Sequence, residues 1–351
     1  MIRIGFFDAK PYDRRWFDKL RGDDIEIHYF EGKLNPTTVR LAQGMDAVCV
    51  FVNDEVDEQV LDALYGYGIR LVALRCAGFN NVDFKSAYKR VSVVRVPGYS
   101  PYAVAEHAAA LMLSLNRKIH RSFNRTREHN FTISGLEGFV LHGKTCGVIG
   151  TGKIGQAFIA ICRGFGMEIL AYDTYPNPAL GVSYVSMDEL LTRSDILSLH
   201  CPLTQETRHL IGEESLSRMK PTAMLINTSR GALVDSEALL EALQKGRLGS
   251  AGLDVYEEES DLFFEDRSLE LMDDEVLSLL LTLPNVLVTA HQAFLTDEAL
   301  EAIARTTLDS VRAFFSGQPL TNEICYHCQQ DGQTADCERS TSGNASRRKV
   351  H

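Results

Sequence analysis

The chain has 351 residues, 45% of them hydrophobic and 24% charged, the balance of a soluble globular protein long enough for two domains of ordinary size. Its formal charge of −11, with acidic and basic residues interleaved, argues against a general affinity for nucleic acid or anionic membrane. No apolar run approaches the roughly 18 to 20 residues that span a bilayer, and "MIRIGFFDAKPYD" lacks a signal peptide's apolar stretch and cleavage site, so a cytoplasmic location is expected.

The first hundred residues alternate strand-like and helix-like segments. "IRIGFFD" (2–8) reads as a strand, "PYDRRWFDKLR" (11–21) as a helix opened by Pro11, and "IEIHYF" (25–30) as a second strand. "DAVCVFV" (46–52), "IRLVALR" (69–75) and "VSVVRV" (91–96) are further apolar runs of strand length, with "DEQVLDALYGYG" (57–68) helical between two of them. Such alternation predicts a parallel sheet with helices on both faces. "SPYAVAEHAAALMLSLNRKIH" (100–120) then reads as one long helix, with Ser100 as its cap and Pro101 in its first turn. Its alanines and leucines leave little polar surface, so it is expected to be buried, with another subunit as one candidate for its cover.

A second alternation begins at Lys144. "TCGVI" (145–149) is a strand, "KIGQAFIAICRGF" (153–165) a helix and "MEILAYD" (167–173) the next strand. "SDILSLHCP" (194–202), "AMLINTS" (223–229), "GSAGLDVY" (249–256) and "NVLVTAH" (285–291) continue the strand series, with helices such as "SEALLEALQKG" (236–246) between. "TDEALEAIARTTLDSVRAFFSG" (296–317) is a long amphipathic helix with a glycine stop, expected to pack back on the first domain. The fold class is therefore α/β, with two doubly wound parallel sheets.

From about residue 325 the chain turns polar and poor in large aliphatics, and 325–351 is expected to be a disordered tail. "CYHC" at 325–328 mimics half a metal site but lacks a second ligand pair at suitable spacing, so no metal is expected. Cys49, Cys76, Cys146, Cys162 and Cys201 sit in apolar stretches and read as reduced thiols.

Gly150, Gly152 and Gly155 form a G-x-G-x-x-G pattern between an apolar strand and an apolar helix. The first glycine permits a tight turn, the second lets a pyrophosphate approach the backbone, and the third lets helix and strand pack closely. The helix N-terminus, with about +0.5 of an elementary charge, faces the phosphates. Asp173 ends the next strand, placed to hold an adenosine ribose and to repel a 2′-phosphate, and no arginine follows it. The cofactor expected is NAD rather than NADP.

Reduction of a carbonyl by hydride also requires a proton donor, a cation to orient the substrate, and a group that tunes the donor. His291 ends the strand "NVLVTAH", where ligands of open α/β sheets sit, and histidine titrates near neutrality. Arg230 follows "AMLINTS" and can clamp a carboxylate through two hydrogen bonds. An acidic run, Glu257 to Glu259, follows "GLDVY", and spacing alone does not choose among its members. Each of these residues also suits a merely structural role at a strand end.

At these residues the chain resembles the D-isomer-specific 2-hydroxyacid dehydrogenases, most closely their fermentative D-lactate branch of bacterial type. The resemblance rests on "RCAGFNNVD" (75–83), "VPGYSPYAVAEHA" (96–108), "GKTCGVIGTGKIG" (143–155), "SLHCPLT" (198–204), "NTSRGALVD" (227–235), "GLDVYEEE" (252–259), "DLFFED" (261–266) and "HQAFLT" (291–296), and covers essentially residues 1 to 324. It implies that Arg230 binds the substrate, that His291 is the acid/base, and that Glu259 is its partner. It also implies NAD contacts at Gly150, Gly152, Lys153, Ile154, Gly155, Asp173, Cys201, Pro202, Thr207, Thr228, Ser229, Arg230 and Asp254. Thr207 departs from the asparagine of relatives. Ala77 and Gly78 are implied to hold the substrate carboxylate through their backbone, with Tyr99 and Phe294 as apolar walls beside Arg230 and His291. The implied architecture is a flavodoxin-like substrate domain (1–99 plus 297–324) interrupted by a Rossmann NAD domain (100–296), dimerising through the 100–120 helix.

The implied reaction is reduction of pyruvate to D-lactate. A bulkier 2-oxoacid such as phenylpyruvate is the near alternative, and a non-catalytic NADH sensor resembling transcriptional corepressors the remote one. Formate dehydrogenases of this superfamily lack the acidic partner, so Glu259 counts against that activity.

Overall fold

The computed structural model describes residues 1–259 and 262–326, so the tail expected over 325–351 lies outside the described residues from 327 onward, with Cys328 and Cys337. The chain divides into two compact units, one of residues 1–100 with the described residues from 296 onward, the other of residues 101–295.

In chain order the first unit opens with β1 (Ile2–Phe6), α1 (Pro11–Leu20), β2 (Ile25–Tyr29), β3 (Ala47–Val50), α2 (Glu58–Gly66), β4 (Leu71–Leu74), α3 (Phe84–Ala87) and β5 (Ser92–Val94). β3, β4 and β5 are buried at every position, as expected of strands covered on both faces. Their order in the sheet is β5-β4-β3-β1-β2, all parallel, which is the flavodoxin-type winding.

The second unit holds α4 (Pro101–Arg117), α5 (Ile119–Arg127), β6 (Thr145–Ile149), α6 (Lys153–Gly164), β7 (Glu168–Tyr172), β8 (Ser183–Tyr184), α7 (Met187–Arg193), β9 (Ile196–Leu199), α8 (Glu213–Arg218) and β10 (Met224–Asn227). It continues with α9 (Ser236–Gln244), β11 (Ser250–Leu253), α10 (Glu275–Thr282) and β12 (Val286–Val288). Its seven parallel strands run β12-β11-β10-β9-β6-β7-β8. Counted from β6, that is the Rossmann order with one strand added at the far edge. Leucines of α7 to α10 cover one face of this sheet. α4 and α6 cover the other, through Ala105, Ala108, Met112, Phe158 and Ile159. The chain then returns to the first unit as α11 (Asp297–Phe315), which packs on α1 and β4, and ends in β13 (Glu323–Ile324).

One sequence expectation is corrected. The helix expected over 100–120 stops at Arg117, because Lys118 takes the left-handed conformation (φ 49°), and α5 starts afresh. The apolar face of α4 packs on α6 and on the sheet of its own unit. To the five parallel strands of the first sheet the chain adds one that the sequence did not announce: β13 pairs antiparallel with β5, Glu323 opposite Val94, and Cys325 beyond it is buried. Side-chain caps mark several starts where propensity alone was silent: Asp83 for α3, Ser186 for α7 and Asp274 for α10.

Candidate active site

The glycine loop is shaped by backbone crowding. Gly150 has φ 91°, a conformation that L side chains rarely adopt, and a Cβ there would stand 2.7 Å from the backbone of His200 and Cys201. A Cβ on Gly155 would overlap the carbonyl oxygen of Gly150, whereas one on Gly152 would meet nothing. The first and third glycines therefore let chain segments touch, and the second leaves a clear approach to the backbone. Gly152 begins α6 without a side-chain cap, so the first-turn N–H groups are available to an anion.

Asp173, past the end of β7, is tied to this loop. One carboxylate oxygen accepts from the Thr151 N–H (2.6 Å) and hydroxyl (2.8 Å), and the other from the Tyr175 N–H (2.8 Å). Partial burial opposes ionisation, but these donors hold the carboxyl below the ordinary aspartate range. Thr228, after β10, has a buried hydroxyl with no hydrogen-bond partner among the described residues. An open glycine, an uncapped helix start, a strand-end carboxylate and an unsatisfied hydroxyl together suit a dinucleotide. Cys201 and Pro202 follow β9; burial pushes the Cys201 thiol up to about 11, so it stays neutral. The Thr207 hydroxyl closes the turn there, donating to the Pro202 carbonyl at 2.8 Å.

Three further strand ends carry the candidate catalytic residues. After β10, the Asn227 amide accepts from the Ser229 N–H (3.0 Å) and donates to the Arg230 carbonyl (2.9 Å), which sets the turn presenting Arg230. Gly231 next to it lies so close to the peptide joining Tyr256 and Glu257 that a Cβ would overlap that peptide. After β11, Glu259 turns back: one oxygen accepts from the Tyr256 N–H at 2.9 Å and the other meets His291 Nδ1 at 2.7 Å. After β12, His291 has φ 50° and donates its own N–H to the Asp254 carbonyl at 2.7 Å. The structure thus joins Glu259, rather than Glu257 or Glu258, to the histidine. Glu257 instead meets His209 and Arg208, each at 2.7 Å. The Phe264 ring lies 5.8 Å from His291, and Phe294 is buried.

In the first unit, Ala77 and Gly78 follow β4. Their carbonyls accept from Arg95 (2.9 Å) and from the Cys76 thiol (3.3 Å), so the loop is held through its oxygens. Tyr99 lies in the same unit, half-buried.

Asp254 was expected only as a cofactor contact, yet its carboxylate, fully buried, is a hub. It accepts from the Thr289 hydroxyl (2.6 Å), the Gln292 N–H (2.9 Å) and the Ala293 N–H (2.8 Å), and lies 3.1 Å from His107 Nε2. Sequence reasoning missed His107 and Thr289. The signal for His107 was a lone imidazole on an otherwise alanine- and leucine-rich helix.

Residues 109–293 match the family model for the NAD-binding domain of D-isomer-specific 2-hydroxyacid dehydrogenases. The D-lactate dehydrogenase of Escherichia coli is 48% identical over 92% of this chain and 100% of its own length. The chain belongs to the D-isomer-specific 2-hydroxyacid dehydrogenases. It is an NAD-dependent oxidoreductase with two parallel-sheet α/β domains, one of them a Rossmann NAD-binding domain. A 2-hydroxyacid dehydrogenase homologue of Haemophilus influenzae is 49% identical over 92% of this chain and 99% of its own. Among solved structures of these dehydrogenases, the pyruvate reductase of Chlamydomonas reinhardtii superposes with a TM-score of 0.88 at 44% identity, covering 92% of this chain and 98% of that one.

Proposed function

We propose that the protein reduces pyruvate to D-lactate, with His291 as proton donor, Glu259 as its partner and Arg230 as the substrate clamp. The observation that carries this reading is the 2.7 Å contact between His291 Nδ1 and Glu259. A carboxylate on Nδ1 fixes the imidazole orientation, leaving Nε2 to face the substrate oxygen. NAD, when bound as NADH, supplies the hydride to the carbonyl carbon. His291 Nε2 gives its proton to the oxygen as charge develops there, and the Arg230 guanidinium orients the carboxylate and offsets the growing negative charge. Ala77 and Gly78 are assigned backbone contacts to the same carboxylate, and Tyr99 and Phe294 apolar contacts to the methyl group. Thr228, Ser229, Lys153, Ile154, Cys201, Pro202, Thr207, Asp173 and Asp254 are assigned to the cofactor.

The test is to mix the protein with NADH and pyruvate, follow nicotinamide absorbance, and identify the product with a D-lactate-specific enzyme. Rapid oxidation yielding D-lactate supports the reading. Turnover only with larger 2-oxoacids replaces pyruvate with a bulkier substrate, and no turnover with any 2-oxoacid leaves an NADH-sensing role. His291→Gln is expected to lower turnover by about 10²- to 10⁴-fold while leaving NADH affinity nearly intact.

We also propose a homodimer in the cytoplasm. Exposed Tyr102, Ile119, Phe123, Phe131, Ile133 and Val140, all within the second unit, favour a second copy as their cover. Sedimentation at micromolar concentration tests it; a monomer would overturn it. The free thiols, Cys201 half-buried and Cys146 and Cys162 buried, suit a reducing compartment.

A further inference from the structure

His107 lies on α4 and has been assigned no role in the reaction, yet its imidazole reaches the hub beneath His291. Its Nε2 is 3.0 Å from the Thr289 hydroxyl and 3.1 Å from Asp254 Oδ1, and its side chain is 17% exposed. The Thr289 hydroxyl has one proton, and that proton goes to Asp254 at 2.6 Å. Thr289 must therefore accept from His107, so Nε2 carries a hydrogen and both of its neighbours are acceptors. The direction of the whole network is then fixed: His107 to Thr289, and both to Asp254.

Asp254 in turn holds the backbone that presents His291. Its carboxylate takes the N–H groups of Gln292 and Ala293, and its carbonyl takes that of His291. His291 itself is in the left-handed conformation, which a non-glycine residue keeps only when its surroundings over-determine it. The other three donors to this buried carboxylate, the Thr289 hydroxyl and the Gln292 and Ala293 N–H groups, are neutral. Burial alone would favour the neutral acid, but the hydrogen bonds from His107 and Thr289 hold the Asp254 carboxyl below its ordinary range. An ionised Asp254 is what the turn needs, because a protonated acid loses an acceptor site to its own hydrogen.

We propose that His107 is a positioning residue for the reaction: acting through Thr289 and Asp254, it holds the turn that sets the direction of the His291 imidazole. It is assigned no contact to substrate or cofactor, and its effect falls on turnover rather than on binding. The inference rests on the assignment of His291 as proton donor.

The experiment compares His107→Leu, His107→Gln and Thr289→Val with the wild-type chain and with His291→Gln. For each, kcat and KM for pyruvate are measured, NADH affinity is read separately from nicotinamide fluorescence, and the thermal midpoint is recorded. In His107→Leu, kcat is expected to fall by at least about tenfold with NADH affinity and KM within about threefold, because misaimed catalytic groups lose rate before affinity. Glutamine places an amide nitrogen near the position of Nε2, so His107→Gln is expected to recover most of the loss. Thr289→Val keeps the side-chain shape and is expected to repeat the kcat loss with the midpoint lowered only by the loss of the hydroxyl's hydrogen bonds, even if His107→Leu folds poorly. Wild-type kcat in His107→Leu, or a glutamine variant no better than the leucine one, overturns the proposal, as does a parallel loss of NADH affinity and midpoint. Inactive His291→Gln beside a fully active His107→Leu removes this inference alone. Full activity of His291→Gln removes the proton-donor assignment and this inference with it.

Discussion

One oxygen of Asp173 accepts both the N–H and the hydroxyl of Thr151, so the carboxylate expected to read the cofactor's ribose also fastens the glycine loop beneath the pyrophosphate. Removing it would disturb two parts of the cofactor site together. Asp173→Ala is expected to weaken NADH binding by about 2 to 3 kcal/mol, roughly 30- to 150-fold in Kd, on the scale of hydrogen bonds to a charged group. Loss of the negative charge should weaken binding of NADPH much less than that of NADH. Fluorescence titration with both cofactors checks this, and equal losses for the two would show that the loop, not the charge, discriminates between them.

Gly231 joins the Arg230 turn to the segment that leads into Glu259. Because a Cβ there would overlap the peptide between Tyr256 and Glu257, Gly231→Ala must push that segment away. A loss of about 1 to 3 kcal/mol in stability is expected, the usual scale of overpacking. Turnover should fall further than stability, because the displaced segment carries the partner of His291. Denaturant unfolding and kcat measured side by side check the ranking.

Arg230→Lys keeps the charge but loses the planar fork. If the side chain binds the carboxylate through two hydrogen bonds, KM for pyruvate should rise by about 10²-fold, with kcat reduced as well. Steady-state kinetics checks it, and an unchanged KM would mean that Arg230 acts as a simple point charge.

His200 supplies a pH dependence. Its Nε2 lies 2.9 Å from the Ser198 hydroxyl, and burial lowers its pKa to about 3. The folded state thus prefers the neutral ring. The contribution is complete above the unfolded value, about 6.5, and drains away as pH falls toward about 3. His200→Gln does not titrate, so the stability advantage of wild type over this variant should shrink between pH 7 and pH 4.5. Thermal unfolding of both at the two pH values checks it; a constant difference would show that the ring protonates without penalty.

Much of this could be read from the sequence, for identifiable reasons. Apolar runs bounded by glycine and polar residues marked β1 to β7 and β9 to β12 because buried parallel strands tolerate little else. Three strand ends pointed to Arg230, the acidic run and His291 because ligands of such sheets gather there. What escaped notice depended on three-dimensional detail. The break at Lys118 is a single backbone rotation between two stretches of good helix formers. β8 and β13 are two residues each, too short to show a period. The choice of Glu259 needed a known relative or a structure, because Glu257 and Glu258 are chemically identical to it. The His107–Thr289–Asp254 network joins residues more than 140 positions apart, and only packing of α4 on the sheet brings them together.

The antiparallel edge formed by β13, together with α11, gives the first unit a delayed birth. Its chain departs at Ser100 and resumes only at Thr296, after the entire contiguous second unit. On a ribosome, residues 101–295 are therefore complete while the first sheet still lacks its sixth strand and α1 still lacks the helix that covers it. Throughout that interval the flank of α1 that α11 covers waits for a partner more than 270 residues downstream. Chaperones and proteases would meet the nascent protein at that flank, and substitutions in α11 would tell on yield before they tell on rate.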